Sequence, residues 1–177
     1  MNIDPSIFKA YDIRGLYPGE LNEETAYAIG RGFAAYLKAA TVAVSRDMRL
    51  SSPSLSAAFI DGVRTQGTNV IDYGMLGTDQ LYFAVVNDGL EGGAQITASH
   101  NPKHYNGVKM VKAEALPLSG DAGIGDIRRL LPRRHAPFSA FVGRPGAPAL
   151  LLRAVGFFFV VNSLALRHVW PFSSIRF

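Results

Sequence analysis

Thr97-Ala98-Ser99-His100-Asn101-Pro102 runs almost directly into Tyr105-Asn106-Gly107-Val108-Lys109. An apolar segment holding Ala94 and Ile96 leads into this run, and Asn-Pro and Asn-Gly, two turn-forming pairs, lie within eight residues of Ser99. The pattern predicts two strands joined by a tight polar loop. A serine on a constrained loop, with His100 beside it and Lys109 opening the next apolar segment, is equipment for phosphoryl or acyl transfer. For a Ser-His pair alone, a plain polar hairpin is the better reading.

Outward from the loop, residues 1–131 alternate strand-like and helix-like patterns. Phe8 to Ile13 reads as a strand ending at Gly15. Asn22 caps a helix whose first turn carries Glu23 and Glu24, both favourable beside the positive end of the helix dipole. Ala26, Ile29, Phe33 and Leu37 recur along it at helical spacing. Thr41 to Ser45 is a β-branched strand. Ser52 before Pro53 is a cap followed by proline in the first turn, and Leu55, Phe59 and Val63 give that helix its stripe up to Gly67. Val70 to Tyr73 is a strand, and Thr78 or Asp79 opens a helix through Leu81, Phe83 and Val86 to Gly89. Ala94 to Thr97 and Val108 to Val111 flank the serine loop, and Asp121 to Leu131 is a last short helix. Strands alternating with helices predict an α/β layered domain.

Taken whole, the loop pattern resembles the phosphoserine loop of the α-D-phosphohexomutases, the family of phosphoglucomutase and phosphomannomutase. Lys9-Ala10-Tyr11-Asp12-Ile13-Arg14-Gly15 is similar to that family's opening strand and turn. Val44-Ser45-Arg46-Asp47-Met48-Arg49 with Ser51-Ser52-Pro53 is similar to its second strand and following helix. Gly74 to Ala84 and Ala115 to Ile124 are most similar to the bacterial phosphomannomutase branch. The resemblance implies a single three-layer α/β/α domain with a mixed sheet over residues 1–132, the first of four domains. It implies that Ser99 carries the phosphoryl group and binds Mg²⁺ through its phosphate. Lys109 is implied as general acid/base, its pKa lowered by burial or by a neighbouring cation, with Arg14 as that cation and as a phosphate contact. Tyr11 is implied to line the site, or else packs as a strand aromatic. His100 bonds the loop backbone or touches substrate. Arg46 and Arg49 steady the loop from beneath or make surface ion pairs, Lys103 and His104 form a solvated face, and Asn101 and Asn106 shape turns. The implied substrate is a hexose phosphate, with glucose or mannose 1,6-bisphosphate as activator. The alternative is an inactive remnant or interaction module, because the family's Asp-Gly-Asp-x-Asp-Arg magnesium loop and its sugar-specificity and distal phosphate loops are not found in this sequence.

Composition sets further bounds. Residues 1–126 hold ten Lys/Arg and all fourteen Asp/Glu, whereas residues 127–177 hold eight Arg and no Lys, Asp or Glu. The basic pI of about 9.5 therefore belongs to the tail, and no nucleic-acid partner is expected. No cysteine is present and the first residues lack the character of a signal peptide, which suits the cytoplasm. Gly-x-x-x-x-Gly-Lys-Ser/Thr, His-Glu-x-x-His and Gly-x-Ser-x-Gly are missing, arguing against a P-loop kinase, a zinc protease and an α/β-hydrolase. Residues 133–177 are rich in Arg, Pro and Phe and have no amphipathic period. Only thirteen residues separate Arg153 from Arg167, too few for a spanning helix of about 20 residues, so a membrane anchor is not expected. The segment reads as foreign to the family, like the product of a shifted reading frame, and separate from the first domain. Brief trypsin treatment should cut at Arg133-Arg134 and leave a compact N-terminal fragment. Protection there, with loss of folding when the tail is removed, would place the tail inside the fold.

Overall fold

A computed structural model describes residues 3–131 and the backbone of residues 151–153. The expectations for Arg133-Arg134 and for most of the apolar run up to Leu166 lie outside the described residues. Five strands come from the first segment: β1 (Ile13–Leu16), β2 (Thr41–Arg46), β3 (Asn69–Met75), β4 (Gly92–Ile96) and β5 (Tyr105–Lys112). A sixth, β6 (Leu151–Arg153), lies parallel to β3. The sheet order is β1-β5-β4-β2-β3-β6, with β2 parallel to β3 and β4, and β5 antiparallel to β4 and β1. The sheet is mixed, as the resemblance implies. Its sixth strand arises from a stretch that carries no strand signal in the sequence.

Helices α1 (Glu23–Leu37), α2 (Ser52–Arg64) and α4 (Ile124–Leu130) share one face of the sheet, and α3 (Thr78–Asn87) covers the other. Ile29, Phe33, Leu55, Phe59, Val63 and Ile127 pack with Val42, Val44, Ile96 and Val108 in the larger core. Leu81, Ala84 and Val85 pack with Ala43, Tyr73 and Val111 in the smaller one. The central β4 is buried along its whole length, the normal state of a strand covered on both faces. On α3, Phe83 and Val86 are exposed; they continue the helix but do not join its buried face.

Two local expectations shift, each for a physical reason, and a third holds. Residues 9–12 are a bend rather than strand, closed by the Lys9 N–H on the Asp12 carbonyl at 2.9 Å, so β1 begins at Ile13. Asn22 caps α1 as expected, its side-chain oxygen accepting the Thr25 N–H at 3.0 Å. The cap of α2 is Ser51, not Ser52, and its hydroxyl makes no capping bond. The Ser51 hydroxyl is taken by Asn106 of β5, and the Ser52 hydroxyl by Asn106 and Asp47.

Two glycines let α1 and α2 touch backbone to backbone. A Cβ on Gly30 would lie 2.2 Å from the Phe59 carbonyl oxygen, and one on Gly62 would lie 2.1 Å from that of Tyr27. Gly62→Ala should therefore force the helices apart and cost about 1–3 kcal/mol. Urea unfolding of the variant would show this as a lower midpoint with little change in slope, and an unchanged midpoint would contradict the close packing.

Candidate active site

Because β2 and β4 are adjacent and parallel, the loops leaving their C-terminal ends lie side by side: residues 47–51 after β2 and residues 97–104 after β4. That edge of an open α/β sheet is where polar ligands bind. The Asp47 N–H donates to the Ile96 carbonyl at 2.9 Å, carrying the strand pairing one residue further.

The Asp47 carboxylate then organises both loops. Its Oδ1 accepts the Arg49 N–H at 3.0 Å and the Ser52 hydroxyl at 2.5 Å. Its Oδ2 accepts Arg49 Nε at 3.1 Å and the Thr97 hydroxyl at 2.7 Å. Arg49 Nη1 donates to the carbonyls of Pro102 at 2.8 Å and Tyr105 at 3.1 Å. Nη2 donates to those of Ser99 at 3.0 Å and Asn101 at 2.7 Å. Of the two readings of Arg49, the structure selects the loop support; its ion pair with Asp47 is part of that support, since the Arg49 side chain is only 12% exposed. Arg46 is half-buried and makes no ion pair among the described residues.

Ser99 lies at the outer side of this scaffold. Its N–H donates to Thr97 Oγ1 at 2.9 Å, and its backbone is left-handed with φ 54. For a residue with a Cβ that conformation costs about 1–2 kcal/mol and persists only where neighbours enforce it. Ser99 and His100 are both exposed, and Ser99 Oγ is 3.0 Å from His100 Nδ1. The His100 ring thus meets the serine hydroxyl, not the loop backbone. Lys103 and His104 are exposed, as read from sequence.

The Asn-Gly pair is not a turn. Asn106 is buried within β5 and donates from Nδ2 to the Ser51 hydroxyl at 2.8 Å and to Ser52 at 3.0 Å. A Cβ on Gly107 would lie 2.3 Å from the Ile13 carbonyl oxygen, so glycine here serves the close approach of β1 and β5. Asn101 does shape the site through its side chain, whose Oδ1 accepts Arg14 Nη1 at 2.7 Å.

Arg14 on β1 lies opposite Gly107 and pairs with the buried Asp12 through Nη2. Lys109 is two residues further along β5, on the same face and opposite Gln95, which sets the Arg14 and Lys109 Cα positions about 7–8 Å apart as diagonal neighbours. The half-buried Lys109 ammonium has no hydrogen-bond or ion-pair partner among the described residues. Arg14 Nε is buried without a partner. Tyr11 is 81% exposed on the bend before β1, so it is not a packed strand aromatic. Burial, with the Asp79 and Asp12 carboxylates, pushes the Tyr82 hydroxyl pKa up. The sequence motifs contain Asp12, Asp47 and Thr97 but assign no role to them or to Tyr82. The Asp-x-Arg spacing at 47 and 49 is the signal that could have found Asp47.

No three His, Asp or Glu side chains converge into a metal-binding group among the described residues, and both Asp47 oxygens are already engaged. The described residues alone therefore do not form a Mg²⁺ cage. No helix among them is long and apolar enough to cross a membrane.

Comparison with known proteins matches the same region. A family model for phosphoglucomutase/phosphomannomutase, alpha/beta/alpha domain I, matches residues 5–133. A phosphomannomutase of Klebsiella pneumoniae is 48% identical over 130 residues, covering 73% of this chain and 83% of that protein. One of Escherichia coli is also 48% identical over 130 residues, but the chain spans only 28% of its length. One of Salmonella typhimurium is 50% identical over 123 residues and is spanned to 27%. The crystal structure of a phosphoglucomutase/phosphomannomutase family protein from Burkholderia thailandensis superposes with a TM-score of 0.71 at 34% identity, over 86% of this chain and 33% of that one.

The left-handed backbone at Ser99 has a measurable consequence. Ser99→Gly should be more stable than Ser99→Ala by about 1 kcal/mol, because both lose the hydroxyl but only glycine relaxes the strain. Equal urea midpoints would mean that Ser99 is not held left-handed in solution.

Proposed function

The chain belongs to the phosphoglucomutase/phosphomannomutase family, and from that premise we propose that residues 1–132 are the phosphoryl-carrying domain of a hexose-phosphate mutase. The observation that carries this reading is Ser99 itself: an exposed hydroxyl on a left-handed backbone, held from beneath by Arg49 and Thr97. Arg14 and Lys109 sit on the neighbouring strands.

A serine hydroxyl is a weak nucleophile, but phosphoserine is a competent phosphoryl donor. In the proposed cycle a hydroxyl oxygen of the hexose phosphate attacks the phosphorus on Ser99. The bond from phosphorus to Ser99 Oγ breaks, and a sugar 1,6-bisphosphate results. Lys109 takes the proton of the attacking hydroxyl and returns it to the departing serine oxygen. After the bisphosphate reorients, the other phosphoryl group passes back to Ser99. Phosphoryl transfer has a loose transition state, so the contribution of the protein is position and charge. Arg14 supplies a guanidinium, and His100 keeps the serine oxygen in place. Mg²⁺ dependence of a longer enzyme would require carboxylates from outside the described residues. Mannose 6-phosphate is the proposed substrate, because the relatives compared above are named phosphomannomutases.

A graft tests this. Residues 5–131 replace the matched segment of the Escherichia coli relative, and the chimera is incubated with glucose 1,6-bisphosphate. The chimera should interconvert mannose 6-phosphate and mannose 1-phosphate and carry phosphate on Ser99. Ser99→Ala should abolish both, and Lys109→Ala should lower kcat by about 10²–10⁴-fold. The isolated 177-residue chain should show no turnover above its own Ser99→Ala control. A phosphate that persists in Ser99→Ala sinks the assignment, and a folded chimera with neither phosphate nor turnover favours the inactive remnant.

A further inference from the structure

We propose that Arg49 is the positioning residue of the Ser99 loop, turning the backbone N–H groups of His100 and Lys103 outward as receptors for the Ser99 phosphate. The inference rests on the reading of Ser99 as phosphoryl carrier and extends it to a residue and two amides that do no chemistry themselves.

A guanidinium has five N–H groups in a rigid planar fork. In Arg49 one is fixed by Asp47, and the other four reach the carbonyls of Ser99, Asn101, Pro102 and Tyr105. None is left for a ligand, so Arg49 does not bind phosphate directly. Its effect passes through the peptide planes. In a trans peptide the carbonyl of one residue and the N–H of the next point in opposite directions. Drawing the Ser99 carbonyl onto the guanidinium turns the His100 N–H away from it, and drawing in the Pro102 carbonyl does the same to the Lys103 N–H. Asn101 is followed by proline and contributes no donor. The guanidinium occupies the inner side of the loop, so these amides face the outer side, where Ser99, His100 and Lys103 are exposed.

Neither amide has a partner among the described residues, whereas the Ser99, Asn101 and Tyr105 amides are all bonded, to Thr97 Oγ1 and to the carbonyls of Ala98 and Pro102. Unbonded backbone N–H groups turned to one side of a loop present donors to an anion there. The same arrangement removes four carbonyl oxygens from the face that receives a group of nearly −2 charge.

The test uses the full 177-residue chain with phosphoserine encoded at position 99, so that no enzymatic phosphorylation is required. Proton–nitrogen correlation NMR should show the His100 and Lys103 amide protons shifted downfield relative to the unmodified chain. Arg49→Lys keeps the charge but cannot span four carbonyls, and in it both shifts should be lost while peak dispersion elsewhere is retained. Downfield amides that survive in Arg49→Lys would overturn the proposal, since charge alone would then suffice. If Arg49→Lys does not fold, the wild-type comparison decides: shifts confined to other loop amides overturn it, and shifts at these two sustain it. Failure of the phosphoryl-carrier reading appears separately, as the absence of phosphate on Ser99 in the grafted enzyme, and leaves the amide shifts of the encoded phosphoserine unchanged.

Discussion

One guanidinium, 12% exposed, sets the shape of the site. Removing a cation from water costs several kcal/mol unless its charge is paired and its donors are satisfied. Arg49 meets both conditions at once, with the Asp47 carboxylate on one edge and four loop carbonyls on the others. The arrangement is stable only as a whole. Without Asp47 the charge is buried and unpaired, and without the loop in its present conformation four N–H groups are orphaned. That mutual dependence holds Ser99 in a backbone conformation it would otherwise avoid.

The sheet makes this contact possible. Adjacent parallel strands β2 and β4 bring the Asp47 and Ser99 loops to the same edge, and the antiparallel β5 returns directly beneath them. Asn106 ties that return to Ser51 and Ser52 at the start of α2, so the helix cap is given up to the site. Deeper in the sheet the Ser45 hydroxyl donates to Gln95 Oε1, whose Nε2 donates to the Leu76 carbonyl at 2.9 Å. This buried polar link between β2, β4 and the end of β3 is fully satisfied, the condition under which such a network stiffens a core. The close approach of α1 and α2 through Gly30 and Gly62 braces the opposite face.

What the sequence reveals and what it hides divide by distance along the chain. The serine loop, the helix starting after Asn22 and the alternation of strands and helices are legible because turn pairs, caps and apolar periodicity act over a few residues. The Arg49 clamp reaches across 50 residues to Ser99, and the Asn106 contact with Ser51 across 55; no local pattern encodes either. Asn106-Gly107 misleads for the same reason. The pair has the chemistry of a turn, yet a buried amide contact and the crowding of β1 against β5 hold it in a strand. Leu151–Arg153 pairs with β3 from a stretch without alternation, since an edge strand of three residues needs only a neighbour with a free edge.

The charges around Ser99 divide the work. Arg49 is neutralised by Asp47, and Arg14 by Asp12, so each arginine offers geometry more than net charge. Lys109 lies on the same face without an ion-pair partner among the described residues. In the proposed reading the two arginines hold the loop and the strand beside it, and Lys109 is the basic side chain left uncommitted. Under the proposed chemistry that separation is useful. The group that must gain and lose a proton is the one not committed to a carboxylate, and the groups that must stay still are locked by ion pairs and backbone carbonyls. Exchanging the two roles would fail on both counts. An arginine cannot release its proton near neutral pH, and a lysine has three donors on a flexible stem where the loop requires five in a plane.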